Sequence, residues 1–215
     1  MKRPVELLMF DLDGTIADTG QDLAGSVNFT RGHFELMPLA EDSIHIHVGR
    51  GVEHLLKHAL PEAKGSRFHE ILRVFLRHYE EHLLDKTILY PGVLDVLDHF
   101  RSKRRVVVSN KIHRLTQAVV RGLGVESHFD AIFGGDSAAE KKPHPAILSL
   151  ALERFHVAAP KALMIGDGDI DIEAGKRAGV MTCGVTYGLG DRSQLIAAKP
   201  DVLIEQMAEL PNYFY

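Results

Sequence analysis

The chain has 215 residues, 45% of them apolar and 25% charged, with a formal net charge of -4. That length carries one good hydrophobic core plus a smaller second unit, and the acidic balance argues against nucleic acid or an anionic membrane surface as a partner. One cysteine leaves no disulfide to form within the chain.

Met1-Lys2-Arg3-Pro4 is basic, but acids break the apolar run behind it too early for a signal peptide. No stretch approaches the ~20 apolar residues of a membrane span, so the expectation is a cytoplasmic protein. Short β-rich runs predict strands at 7–10, 105–109, 131–133, 162–165, 182–185 and 202–204. Cys183 lies in one of them and reads as a small core residue. Segments with helical spacing separate the later runs, as at Val93, Leu94, Val96, Leu97 and Phe100. This alternation predicts an α/β fold, a Rossmann-like parallel sheet with helices on both faces. Over ninety residues after the first run hold no convincing strand. Apolar spacing instead predicts helices at 23–36, 52–60 and 67–84, punctuated by Pro38, Pro61 and Tyr90-Pro91-Gly92. The expected organisation is a core of 1–15 and 90–215 with an inserted α-helical cap at 16–89.

Four segments carry chemistry. The first strand runs into Asp11-Leu12-Asp13-Gly14-Thr15. Residues two apart share a side if the strand persists, and Gly14 lets the backbone turn sharply. The C-terminal edge of a sheet is where open α/β folds keep their sites. One carboxylate there can be a nucleophile and the next a proton carrier. A calcium loop is excluded, because its Gly and Glu positions hold Ile16 and Asp22. The second segment, 106–111, ends a strand in Ser109 and Asn110. A hydroxyl and backbone N–H groups can donate to a phosphoryl oxygen, although Ser-Asn alone also suits a plain turn. The third is Lys141-Lys142-Pro143-His144-Pro145. Pro143 keeps Lys142 out of helical geometry, and Pro145 suits the first turn of a helix; alone it reads as a solvated lysine pair. The fourth, 163–171, delivers Asp167, Asp169 and Asp171 behind another buried strand, and carboxylate oxygens suit magnesium. It too fails as a calcium loop, at Ile172 and Ala178.

In this order the four segments resemble the haloacid dehalogenase-like hydrolases, and within them the phosphoglycolate phosphatase group. The resemblance implies that Asp11 is the nucleophile and Asp13 the acid/base, with Lys142 as the catalytic lysine. Asp11, Asp13 (through its carbonyl), Asp167 and Asp171 would hold Mg²⁺. Ser109, with Asn110, Gly14 and Thr15 beside it, would bind the phosphoryl group. The pattern does not require Asp169, which reads as a solvated acid, and the family often has Ser where Gly168 stands. An acid at Asp13 separates phosphatases and mutases from dehalogenases. The resemblance also implies a helical-bundle cap. Its loop 47–53 is similar to a substrate-specificity loop, with Arg50 suited to a second anionic group; the plain alternative is a surface arginine at a helix start. Asp18 and Thr19 fall at the hinge, where either could cap the next helix. His54 and His58, like His78 and His82, share a helix face, and solvated or core roles are expected for both pairs. The stretches 185–190 and 199–204 supply the last strands and no recognisable chemistry. The function implied is a Mg²⁺-dependent phosphatase for a small phosphorylated metabolite such as 2-phosphoglycolate, working as a monomer or homodimer. A β-phosphoglucomutase-like phosphomutase is the alternative. A non-catalytic phosphometabolite-binding module is disfavoured, because every acid and the lysine are present.

Overall fold

A computed structural model describes residues 2–61 and 65–215. In chain order it begins with strand β1 (Leu7–Phe10) and the two-residue strand β2 (Ala17–Asp18). Helices α1 (Gly20–His33), α2 (Glu41–His45), α3 (Val52–Ala59) and α4 (Ser66–His82) follow, then β3 (Ile88–Leu89). The rest alternates: α5 (Val93–His99), β4 (Arg104–Val108), α6 (His113–Gly122), β5 (Ala131–Phe133), α7 (Ala146–Phe155), β6 (Ala162–Gly166), α8 (Asp169–Ala178), β7 (Met181–Val185), α9 (Arg192–Ala197) and β8 (Val202–Ile204).

Six strands form one parallel sheet in the order β5-β4-β1-β6-β7-β8. β1 pairs with β4 on one side and β6 on the other. The chain therefore winds outward in opposite directions from β1, and that reversal opens a crevice at the strands' C-terminal ends. Asp11 follows β1 directly, so the topology itself delivers it there.

The apolar alternation explains why the sheet is covered on both faces. Leu7 and Met9 pack with Val106, Val108 and Met164, against Ile147, Leu148 and Ala151 of α7. Leu8 and Phe10 turn to the other face with Val107, Leu163 and Ile165, against α5 and α6. A continuous apolar run, its side chains turned alternately to the two faces, is what a parallel sheet buried on both sides requires. Fully burying each large apolar side chain contributes about 2 kcal/mol. Cys183 of β7 is wholly buried, as a core residue should be, and burial pushes its thiol up.

The long block after β1 is helical, but two features were not anticipated. β2 and β3 pair antiparallel, Ala17 with Leu89 and Asp18 with Ile88, so the chain leaves the sheet and returns side by side. α2 is a further short helix. Tyr90 N–H donates to the Ile16 carbonyl and Asp22 of α1 binds the returning chain. Among the described residues, no helix is long and apolar enough to cross a membrane.

Candidate active site

Asp11 is 3% exposed, and its Oδ1 accepts a 2.8 Å bond from Lys142 Nζ. Lys142 reaches it from the loop before α7. The same ammonium donates to Asp171 Oδ1 at 2.7 Å and to the Val108 carbonyl at 2.8 Å. Burial works against the lysine charge, but Asp11 and Asp171 outweigh it and hold the ammonium above the ordinary lysine range. Asn110 fixes the backbone of Lys142 in both directions, accepting from its N–H and donating to its carbonyl, each at 2.8 Å.

Asp167, directly after β6, is oriented by three donors. Thr15 Oγ1 donates to one oxygen at 3.1 Å, and the Leu189 and Gly190 N–H groups donate to the other at 2.9 and 2.8 Å. A fourth restraint is indirect: Tyr187 donates to the Thr15 carbonyl at 2.8 Å and so ties the two loops together. Gly14 sits at φ +82°, where a Cβ would lie 2.1 Å from Asp167 Oδ2. Only glycine admits the carboxylate this close.

Asp11, Asp167 and Asp171 each bring one carboxylate oxygen within 4.8 Å of the other two. Burial raises Asp11 to about 8; Asp171, Asp167 and Asp13 add to the rise and Lys142 opposes it. Burial, then Asp171, raises Asp167 to about 7 against the bonds from Gly190 and Thr15. One ammonium facing several buried carboxylates leaves negative charge in excess. An oxygen-only donor set with surplus charge fits a hard divalent cation.

Asp13 is separate from this cluster. Its Oδ1 meets Lys111 Nζ at 2.5 Å and accepts from Thr19 Oγ1 at 2.7 Å. Lys111 also contacts Tyr79 Oη of α4 at 2.7 Å. Burial opposes the Lys111 charge, and Asp13 and Tyr79 restore it above the ordinary range. Burial pushes the Tyr79 hydroxyl up to about 12. Asp13, Lys111 and Tyr79 supply a polar end to a cavity of about 40 Å³ whose walls include Leu23, Val48, Val52 and Phe75. A second, open cleft of about 250 Å³ exposes Asp11, Asp13, Asp167 and Asp171 on one side and His47 and Arg50 on the other.

Several expectations need correction. Thr15 spends its hydroxyl on Asp167, and the N–H groups of Gly14 and Thr15 go to the Ala17 and Leu12 carbonyls. Neither has a donor left for a phosphoryl oxygen. Asn110 likewise gives its amide to the carbonyls of Gly49 and Lys142, which makes it a brace. Ser109 is 2% exposed, and its Oγ accepts from Lys111 N–H, which leaves its own hydrogen to donate. Arg50 does not point at open space. It forks onto Asp169 at 2.6 and 2.8 Å, so Asp169 is an ion-pair partner of the α3 loop instead of a solvated acid. Thr19 serves Asp13 and makes no side-chain cap, whereas Asp18 accepts from Gly20 N–H. The 187–190 loop, expected to carry no chemistry, orients Asp167.

Sequence reasoning missed Lys111 and Tyr79. Lys111 was visible in the Ser109-Asn110-Lys111 run, but its partner lies on a distant helix. Tyr79 reads as one more residue of an apolar stripe.

A protein-family model described as haloacid dehalogenase-like hydrolase matches residues 8–185. The chain belongs to the haloacid dehalogenase-like hydrolases. Among relatives of this family, a phosphoglycolate phosphatase of Chromobacterium violaceum is 36% identical over 213 residues, covering 96% of this chain and 95% of that one. One from Colwellia psychrerythraea is 36% identical over 192 residues, with 85% of each chain covered. The crystal structure of a predicted phosphoglycolate phosphatase from Haemophilus somnus 129PT superposes with a TM-score of 0.92 at 29% identity, covering 97% of both chains. As a haloacid dehalogenase-like enzyme the chain falls with the phosphoric monoester hydrolases.

Proposed function

We propose that the protein is a Mg²⁺-dependent phosphatase that hydrolyses 2-phosphoglycolate, or a similarly small ester, through a phosphorylated Asp11. The observation that carries this is the placement of Asp11. It stands at the switch point of the sheet, held by Lys142 and beside Asp167 and Asp171, with Asp13 facing the same cleft.

Asp11, Asp167 and Asp171, with the Asp13 carbonyl, would hold the metal. Bound there, Mg²⁺ supplies positive charge against the phosphoryl oxygens. The other steps belong to the chain. An Asp11 oxygen attacks phosphorus as the bond to the leaving oxygen breaks, and Asp13 gives that oxygen its proton. Lys142 offsets the charge that spreads over the phosphoryl oxygens, and the Ser109 hydroxyl donates to one of them. Asp13 then takes a proton from water as that water attacks the phosphorus. Phosphate leaves and both aspartates are regenerated.

Residues 16–89 act as a cap over this site in our reading. Asn110 to Gly49 and Arg50 to Asp169 join it to the core, and a closed cap keeps bulk water from the acyl phosphate. The small cavity beside Asp13 suits a leaving group of a few atoms. Lys111 would take its carboxylate, in exchange for Asp13, as the ester enters. Arg50 could be drawn from Asp169 in the same way by a substrate anion. This reading matches the phosphoglycolate phosphatase relatives and a small metabolite as the partner.

Phosphate release from a panel of small esters, with and without Mg²⁺, tests the proposal. Mg²⁺-dependent release that favours 2-phosphoglycolate and is absent in Asp11→Asn is expected. A requirement for a sugar bisphosphate before turnover would identify a mutase instead.

A further inference from the structure

The proposed reaction leaves three imidazoles unused. His54 and His58 stand one turn apart on α3, and the preceding loop brings His47 beside them. Ring centroids are 4.1 Å apart for His54 and His58, 4.3 Å for His47 and His58, and 5.5 Å for His47 and His54. One ring nitrogen from each lies within 4.8 Å of the other two. His58 Nδ1 is 2.8 Å from the His54 carbonyl oxygen. A carbonyl can only accept, so Nδ1 carries the proton and Nε2 keeps its lone pair. A backbone acceptor on one ring nitrogen is the arrangement that orients metal-binding imidazoles. The other helical pair has spent its partners: His78 bonds Ser26 and stacks on Phe29, and His82 bonds Asp85.

We propose that His47, His54 and His58 form a binding site for a borderline divalent transition metal, of which zinc is the type, separate from the carboxylate cluster. The donors decide the class. Three nitrogens without a carboxylate suit zinc, nickel or copper, whereas magnesium and calcium take oxygen. An anion is the poorer fit. Burial, then the neighbouring rings and Arg50, holds His47 and His54 below the usual imidazole range, so these two offer lone pairs in place of positive charge. The rings are partly stacked, at 24° for His47 on His58 and 35° for His54 on His58. Capture turns them about their Cβ–Cγ bonds until the nitrogens are about 3.4 Å apart, the spacing that Zn–N bonds of about 2.0–2.1 Å impose on a tetrahedron. His58 is exposed. Three protein donors leave a fourth position for water or an anionic oxygen, and all three rings line the catalytic cleft.

Cobalt(II) reports on this site directly, because tetrahedral nitrogen coordination absorbs strongly in the visible and octahedral oxygen coordination weakly. The full chain would be titrated with Co²⁺ in excess Mg²⁺, which keeps the carboxylates occupied. One equivalent should develop strong bands that Zn²⁺ displaces and that persist in Asp167→Asn. Losing an outer-shell partner alone weakens a metal site 10- to 100-fold, so His58→Ala should weaken binding by roughly 100-fold or more. His54→Gln serves as a second variant that keeps a polar side chain. Strong bands that never appear, that survive both histidine variants, or that vanish with Asp167→Asn would overturn the proposal. No outcome depends on turnover, so it stands or falls independently of the phosphatase reading.

Discussion

Lys111 joins Asp13, the proton carrier of the proposed mechanism, to the small cavity beside it. It is 9% exposed, and its ammonium bonds Asp13 and Tyr79. A hydrogen bond to a charged group is worth about 1.5–3 kcal/mol, or roughly 10- to 100-fold. Lys111→Met should therefore lower kcat/KM for 2-phosphoglycolate by at least about 10-fold relative to an ester with an uncharged leaving group. Taking the ratio of the two esters in one variant removes any general damage to Asp13. The raised carboxyls make a second prediction. Without divalent metal, Asp11 at about 8 and Asp167 at about 7 keep protons that unfolded aspartates at 3.8 have lost. Those protons stabilise the fold in full below 3.8, and the stabilisation is lost as pH rises through 7 and 8. Mg²⁺ needs the deprotonated carboxylates, so its gain in Tm should grow over the same interval. Thermal melts across pH, with EDTA and with Mg²⁺, measure both trends. Asp167→Asn should raise the metal-free Tm at alkaline pH and flatten the Mg²⁺ response.

At the scale of elements, one buried carboxylate ties α1 to the chain that returns through β3. Asp22 of α1 accepts from the Lys86 and Thr87 N–H groups and from the Thr87 hydroxyl, at 2.7–3.0 Å. Asp22→Ala strands those donors, at a cost of about 1–3 kcal/mol for each buried group left unpaired. The expected result is a fall in Tm of several degrees with the β2–β3 pairing loosened, read by thermal melts and by faster amide exchange at Ala17 and Leu89. How much of this was legible in the sequence follows from element length and range. The six parallel strands could be read because each is an apolar run closed by a turn. β2 and β3 are two residues each and α2 is five, too short to show a period. Asp11, Asp13 and Asp167 could be placed because each sits at a strand end. Lys111 with Tyr79 and Arg50 with Asp169 could not, because each association depends on how the α1–α4 block sits on the sheet; His47 meets His54 and His58 only through the turn before α3, which has no period to read.

The whole molecule places Asp11 at the point where the strand order of its sheet reverses. Chain winding sets Asp11 beside β4 and β6, which run directly into Ser109 and Asp167, while the loop before α7 brings Lys142 and the first turn of α8 brings Asp171. The inserted helices then bring Tyr79, Arg50 and the imidazoles over the opening. The account stands on Asp11 carrying phosphate during turnover. The most direct measurement is acid quench of the enzyme with 2-phosphoglycolate and Mg²⁺, followed by peptide mass spectrometry. The account predicts phosphate on the peptide containing Asp11, removable by hydroxylamine and absent from Asp11→Asn. Steady phosphate release with no phosphorylated Asp11 at any quench time, or with undiminished turnover in Asp11→Asn, would contradict it.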